Sequence, residues 1–175
     1  FTNYEAQDID TTDNVVTRTI TTTNDLPTLI RFGSTDTSGD GDYTKQNSLL
    51  EVNEINTSNV TDMSSMFRNC SGLTSLDLSS FDTGEVTNMV SMFHDCKKLT
   101  SLDVSGFNTS EVTLMNDMFV GCIGLTSIDV SGFDTSKVTN MASMFNACSN
   151  LTSLDLSGFD TSKVTNMDVM FRLCS

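Results

Sequence analysis

Apolar residues recur along most of this chain at one fixed step. Cys70, Cys96, Cys122, Cys148 and Cys174 follow one another at intervals of 26 residues. The same step carries Leu50, Leu76, Leu102, Ile128 and Leu154; Val60, Val86, Val112, Val138 and Val164; Met66, Met92, Met118, Met144 and Met170; and Phe67, Phe93, Phe119, Phe145 and Phe171. An internal repeat of this length signifies a solenoid, because each unit is too small to bury its own apolar face and gains a core only by stacking on its neighbours.

Two periods follow each other within one unit, Leu99 to Cys122. Apolar Leu102 and Val104 alternate with polar Ser101 and Asp103, which is the period of a half-buried strand. Phe107 closes that strand, Asn108 to Ser110 supply turn and cap chemistry, and Val112, Met115, Met118, Phe119 and Cys122 recur at helical spacing. This predicts a short helix capped by Thr109 or Ser110, with Glu111 placed favourably in its first turn. The expected fold class is therefore an α/β solenoid, a right-handed leucine-rich-repeat coil with a parallel β-sheet on one face and short helices on the other. About five coils are expected over residues 49–175, preceded by a non-repeat N-terminal cap over 1–48.

The cap is read from its lack of the repeat, its threonine and aspartate content and its apolar clusters at Val15 to Val16 and Leu26 to Phe32. The chain stops in mid-unit at Ser175, which sets the expectation of more repeats, a further domain or a stacking partner at that end. The polar start, Phe1 to Asp10, is neither a signal peptide nor an amphipathic targeting helix. No apolar run is long enough for a membrane span, so direct membrane insertion is not expected.

A formal net charge of −14, with an acidic balance on both sides of Ser48, changes the list of partners. Nucleic-acid binding needs a basic surface that releases phosphate counterions, and an anionic membrane repels an acidic chain. Both are excluded, while cations and basic partners stay open.

The candidate recognition surface is the outward side of the predicted strands. Asp77, Asp103, Asp129 and Asp155, with Glu51 ahead of them and Ser75, Ser101, Ser127 and Ser153 beside them, would form a column of like charges that a cation or basic ligand relieves. A plain solvated face is the competing reading. Asp82, Asn108, Asp134 and Asp160 are assigned to turn and capping chemistry.

A candidate calcium site gathers Asp36, Asp40 and Asp42 among glycines, with a plain surface loop as the competing reading. Read as a loop from Asp40 to Glu51, it has Lys45 where the turn needs glycine. No other cofactor is expected.

The cysteines read as inward packing residues, with a disulfide between neighbouring units left open because five cannot all pair. His94, the single histidine, stands where other units have Arg68, Val120, Asn146 and Arg172. This flank varies while the serine and aspartate of the strand face do not. No serine, histidine and aspartate constellation, phosphate loop or activated cysteine is present, so no enzyme activity is expected. A threonine column, Thr74, Thr100, Thr126 and Thr152, offers ice binding as a minor reading, which four rungs on a curved surface would serve poorly.

The units SLDLSSFDTGEVTNMVSMFHDC, SIDVSGFDTSKVTNMASMFNAC and SLDLSGFDTSKVTNMDVMFRLC resemble the BspA-like repeats of bacterial surface proteins, over about Leu49 to Ser175. The resemblance implies a leucine-rich-repeat fold, secretion or surface display, and adhesion for some members; it carries no catalytic motif. The expected function is thus an extracellular or surface-displayed module that binds a protein or glycan partner. The alternative is a structural spacer, fibre or assembly subunit that self-associates through its C-terminal end.

Overall fold

The computed structural model describes residues 57–174, which form a stack of coils. The first 48 residues, expected to form a cap, and the candidate calcium loop at Asp36, Asp40 and Asp42 lie outside the described residues.

The step of 26 residues is kept throughout this stack, but the elements predicted within it are not. Among the described residues there is no helix and no continuous strand. The α/β solenoid with a parallel sheet on one face and helices on the other is therefore corrected to a stack of turns. The only strand-like pairings described are isolated parallel bridges. One series runs Asp62, Asn88, Leu114, Asn140 and Asn166, and one further bridge joins Ser127 to Ser153. The longer series lies at the start of the segment predicted to be helical, on the side opposite to expectation.

The backbone of Met63 to Cys70 gives the physical reason. The N–H groups of Met63, Ser65, Phe67 and Asn69 donate forward to the carbonyls of Asn88, Val90, Met92 and His94 in the next coil, at 2.7 to 2.9 Å. The N–H groups between them, of Met66, Arg68 and Cys70, close tight local turns onto Met63, Ser65 and Phe67 at 3.1 to 3.2 Å. A helix needs every amide to bond four residues back within its own segment, and here alternate amides bond to the neighbouring coil.

The alternation requires left-handed backbone at fixed places. Ser65 and Asn69 have φ of 58° and 62°, and the same places in later coils are Ser91 and Asp95, Asp117 and Gly121, Ser143 and Ala147, and Val169 and Leu173. Residues with positive φ at this spacing break a right-handed helix. The apolar spacing of Val60, Met63, Met66, Phe67 and Cys70 mimics a helix face because the same side chains point inward from successive turns. Thr109 does not cap a helix: it is buried, and its hydroxyl donates to the Asp134 carbonyl at 3.0 Å.

The predicted strand keeps its facing and loses its ladder. Leu102 and Val104 are buried while Ser101 and Asp103 are exposed, as alternation requires. Coil-to-coil backbone contact on this side is described at Thr152 N–H to Thr126 O, 3.1 Å, with the Thr152 hydroxyl on the same carbonyl at 3.2 Å.

The core is a set of columns along the stack. Phe67, Phe93, Phe119, Phe145 and Phe171 stack with centroids 5.6, 5.6, 5.4 and 6.0 Å apart and interplanar angles of 3° to 11°. Methionines 63, 66, 89, 92, 115, 118, 141 and 144 are fully buried around them, and their unbranched thioethers fill the space between rings. A buried threonine column ties the coils by hydrogen bonds. The Thr83 hydroxyl donates to the Asn108 carbonyl at 3.0 Å and accepts the Asn108 N–H at 2.7 Å, and Thr57 does the same for Asp82.

Candidate recognition surfaces

The predicted aspartate column is present on the outside, and each carboxylate has a structural occupation. Ser79, Ser105, Ser131 and Ser157 donate their backbone N–H groups to Asp77, Asp103, Asp129 and Asp155 at 2.9 Å. Each aspartate thereby turns its own backbone two residues on. For Asp77, Asp129 and Asp155 the serine amide, assisted by the serine hydroxyl, holds the carboxyl below the usual range; for Asp103 the Ser105 hydroxyl leads. Neighbouring charges push the other way at Asp129, where Asp155 and Asp103 both oppose ionisation. Ser75, Ser101, Ser127 and Ser153 are exposed beside the column.

A second column repeats the device. Gly84, Ser110, Ser136 and Ser162 donate N–H groups to the side-chain oxygens of Asp82, Asn108, Asp134 and Asp160 at 2.9 to 3.1 Å. A third uses Asp62, Asn88, Asn140 and Asn166, which accept from Ser64, Val90, Ala142 and Asp168 at 2.8 to 3.1 Å. Leu114 interrupts that column. Each coil is thus cornered by short polar side chains, and both aspartate and asparagine fill the role. Among the described residues no group of three or more His, Cys, Asp or Glu side chains is placed to hold a metal ion.

The cysteines are free thiols, buried except for the half-buried Cys174. Burial pushes Cys70 and Cys148 up to about 12, and raises Cys96 and Cys122 as well. Such thiols stay protonated and are poor nucleophiles.

One corner differs from the rest of the surface and was not singled out from the sequence. Lys97 and Lys98 form the exposed tip of a turn closed by Leu99 N–H to Cys96 O at 3.2 Å. Asp95 lies 3.4 Å from Lys97 Nζ and 3.4 Å from His94 Nδ1. His94 leads the causes that hold the Asp95 carboxyl below the usual range, against its partial burial, with Lys97 adding to the effect. In the next coil Ile123, 41% exposed, occupies the tip that Lys97 occupies here. The usable sequence signal was the Lys97–Lys98 pair at a position where other units carry Ser71–Gly72, Ile123–Gly124 and Ser149–Asn150.

The fold and these surfaces define a class: a stack of repeated coils whose corners are made by side-chain-to-backbone turns. Residues 41–128 and 102–175 both match the family described as "Mycoplasma protein of unknown function, DUF285". Together these spans cover most of the sequence, and the chain belongs to that family. No curated protein and no solved structure matches the chain. Among the described residues no helix is long and apolar enough to cross a membrane.

Proposed function

We propose that this chain is a binding module, displayed outside the cell, whose outer surface contacts a protein or glycan partner. The observation that carries the reading is the occupation of its reactive side chains. Asparagine and aspartate oxygens hold turns, buried threonine hydroxyls tie coils together, and thiols donate to backbone carbonyls. Those side chains serve the scaffold, which leaves the outer surface to act by recognition. Extracellular display and kinship with BspA-like surface repeats belong to the same proposal and rest on the quoted repeat units.

A second reading, a spacer or assembly subunit that stacks through its coil end, draws on a different observation: the inner columns pass from coil to coil without a break, as Phe93, Phe119 and Phe145 do.

The test is to apply biotinylated chain to a glycan array and to a panel of immobilised extracellular-matrix proteins, alongside sedimentation velocity over a range of concentrations. Saturable binding that unlabelled chain competes away supports the module. No binding on either surface, together with concentration-dependent growth of the sedimenting species, replaces it with the assembly reading.

A further inference from the structure

We propose that the partner-binding surface is the corner formed by Arg68, His94, Lys97, Lys98 and Ile123, not the aspartate face, and that it takes an acidic protein segment carrying an apolar side chain. This rests on the binding-module reading and names its surface and partner. The uniform columns are explained by the fold: Asp77, Asp103, Asp129 and Asp155 recur because every coil needs the same turn. Positions that vary from coil to coil have no such explanation. The column Arg68, His94, Val120, Asn146 and Arg172 varies, and so do the turn tips at Ser71, Lys97, Ile123 and Ser149.

These variable positions adjoin one another. Asn69 N–H donates to the His94 carbonyl at 2.7 Å, which sets Arg68 and His94 in successive coils of one column. At Gly124 a Cβ would lie 2.6 Å from the Leu99 carbonyl oxygen and 2.8 Å from that of Lys97. The bare glycine therefore lets the Ile123 turn settle directly on the lysine turn.

Charge identifies the partner. The lysines and arginines of the described residues are Arg68, Lys97, Lys98, Lys137, Lys163 and Arg172, and the first three stand at this corner of a chain with net charge −14. Asp95 is the carboxylate among them, paired with Lys97 and 3.4 Å from His94 Nδ1. Arg68 and Lys98 have no ion-pair partner among the described residues. Asp62 accepts the Ser64 N–H and Asp117 accepts from the Asn116 side chain. The acidic faces elsewhere repel an acidic segment and leave this corner as its landing place. Ile123, in the coil that follows the lysine turn, offers an exposed apolar contact beside the basic groups.

Fluorescence anisotropy tests this with a fluorescein-labelled peptide of glutamates interspersed with leucines, a lysine–leucine peptide as control, and the whole chain. Saturable binding of the acidic peptide is expected, weakened by about tenfold or more in Lys97→Glu/Lys98→Glu and also weakened in Ile123→Ser. Asp103→Asn/Asp129→Asn should bind at least as well as the parent. Unchanged unfolding midpoints verify that the exposed-site variants are folded. Equal binding to parent and lysine variant, or no binding to the parent, overturns the corner. If the lysine variant also keeps a partner found on the glycan or matrix panel, the corner falls and the module reading stands; a panel without partners alongside lysine-dependent peptide binding leaves the corner standing and removes the panel's partner classes.

Discussion

The thiol of Cys96 donates to the carbonyl of Phe67, 3.2 Å away in the preceding coil, and Cys122 stands in the same relation to Phe93 at 3.1 Å. The thiol column therefore ties coils together as well as filling the core. Replacing Cys122 by alanine removes the tie and opens a small cavity, for an expected loss of about 1 to 3 kcal/mol. Urea unfolding followed by circular dichroism measures it; an unchanged midpoint would show that the contact carries no stability.

These thiols also set the response to alkali. Burial raises Cys70 to about 12, above the unfolded value of about 8.5. The folded state then holds its proton more tightly than the unfolded state does, so this stabilisation is complete below pH ~8.5 and is lost as pH rises toward 12. The unfolding midpoint should fall across that window, and Cys70→Ala should fall less steeply than the parent. Parallel pH profiles would contradict this.

Acid acts through the turn-forming carboxylates, whose folded pKa values are depressed by the serine groups they accept. Their contribution is present above the unfolded carboxylate value, near ~4, and is lost as pH falls through the folded value. Asp134→Asn should keep its turn, because Asn108 makes the same bond naturally. The variant should therefore keep the turn, forgo the small contribution of the ionised carboxylate at neutral pH and show a flatter profile in acid, whereas Asp134→Ala should unfold earlier at every pH. Thermal scans at neutral and acidic pH separate the three chains.

Thr83 satisfies both backbone groups of Asn108. Thr83→Val keeps the shape and leaves a part-buried N–H and carbonyl without their partner, at an expected cost of about 1 to 3 kcal/mol. Thr87→Val, on the exposed column whose hydroxyl only supplements a backbone bond, should cost less. Equal effects would mean that the buried threonine is only a filler.

In the ring ladder Phe119 stacks on both Phe93 and Phe145. Phe119→Ala should cost about 3 to 5 kcal/mol, and Phe119→Leu less. Guanidinium unfolding of the two variants provides the comparison, and a smaller loss for alanine than for leucine would refute the ladder's role.

Periodicity made the coil length and the inward columns legible, because burial of Phe93, Met92 and Val86 depends on side-chain character alone. It did not reveal the secondary structure. Val112, Met115, Met118, Phe119 and Cys122 fit a helix face equally well when they come from a chain of tight turns, and what separates the two is the direction of the amides. Left-handed φ at Asp117, at 60°, is compatible with the sequence and not announced by it. Asp103 was visible as an outward carboxylate; its bond to Ser105 requires knowing that the backbone bends there. The basic corner was harder to see, because Arg68 and Lys98 belong to different units and only stacking makes their coils neighbours.

The ties between coils also govern how such a gene can change in length. Each coil meets its neighbour through contacts 25 to 29 residues apart, as at Thr83 with Asn108, Thr87 with Thr113, Asn150 with Ile123 and Cys96 with Phe67. Inserting or deleting one whole repeat leaves every such contact with a partner of the same kind, whereas a shift of a few residues misaligns all the columns at the point of change. Unequal exchange between repeats can therefore lengthen or shorten the molecule in whole-coil steps, altering its reach while each surviving coil keeps the surroundings it had before.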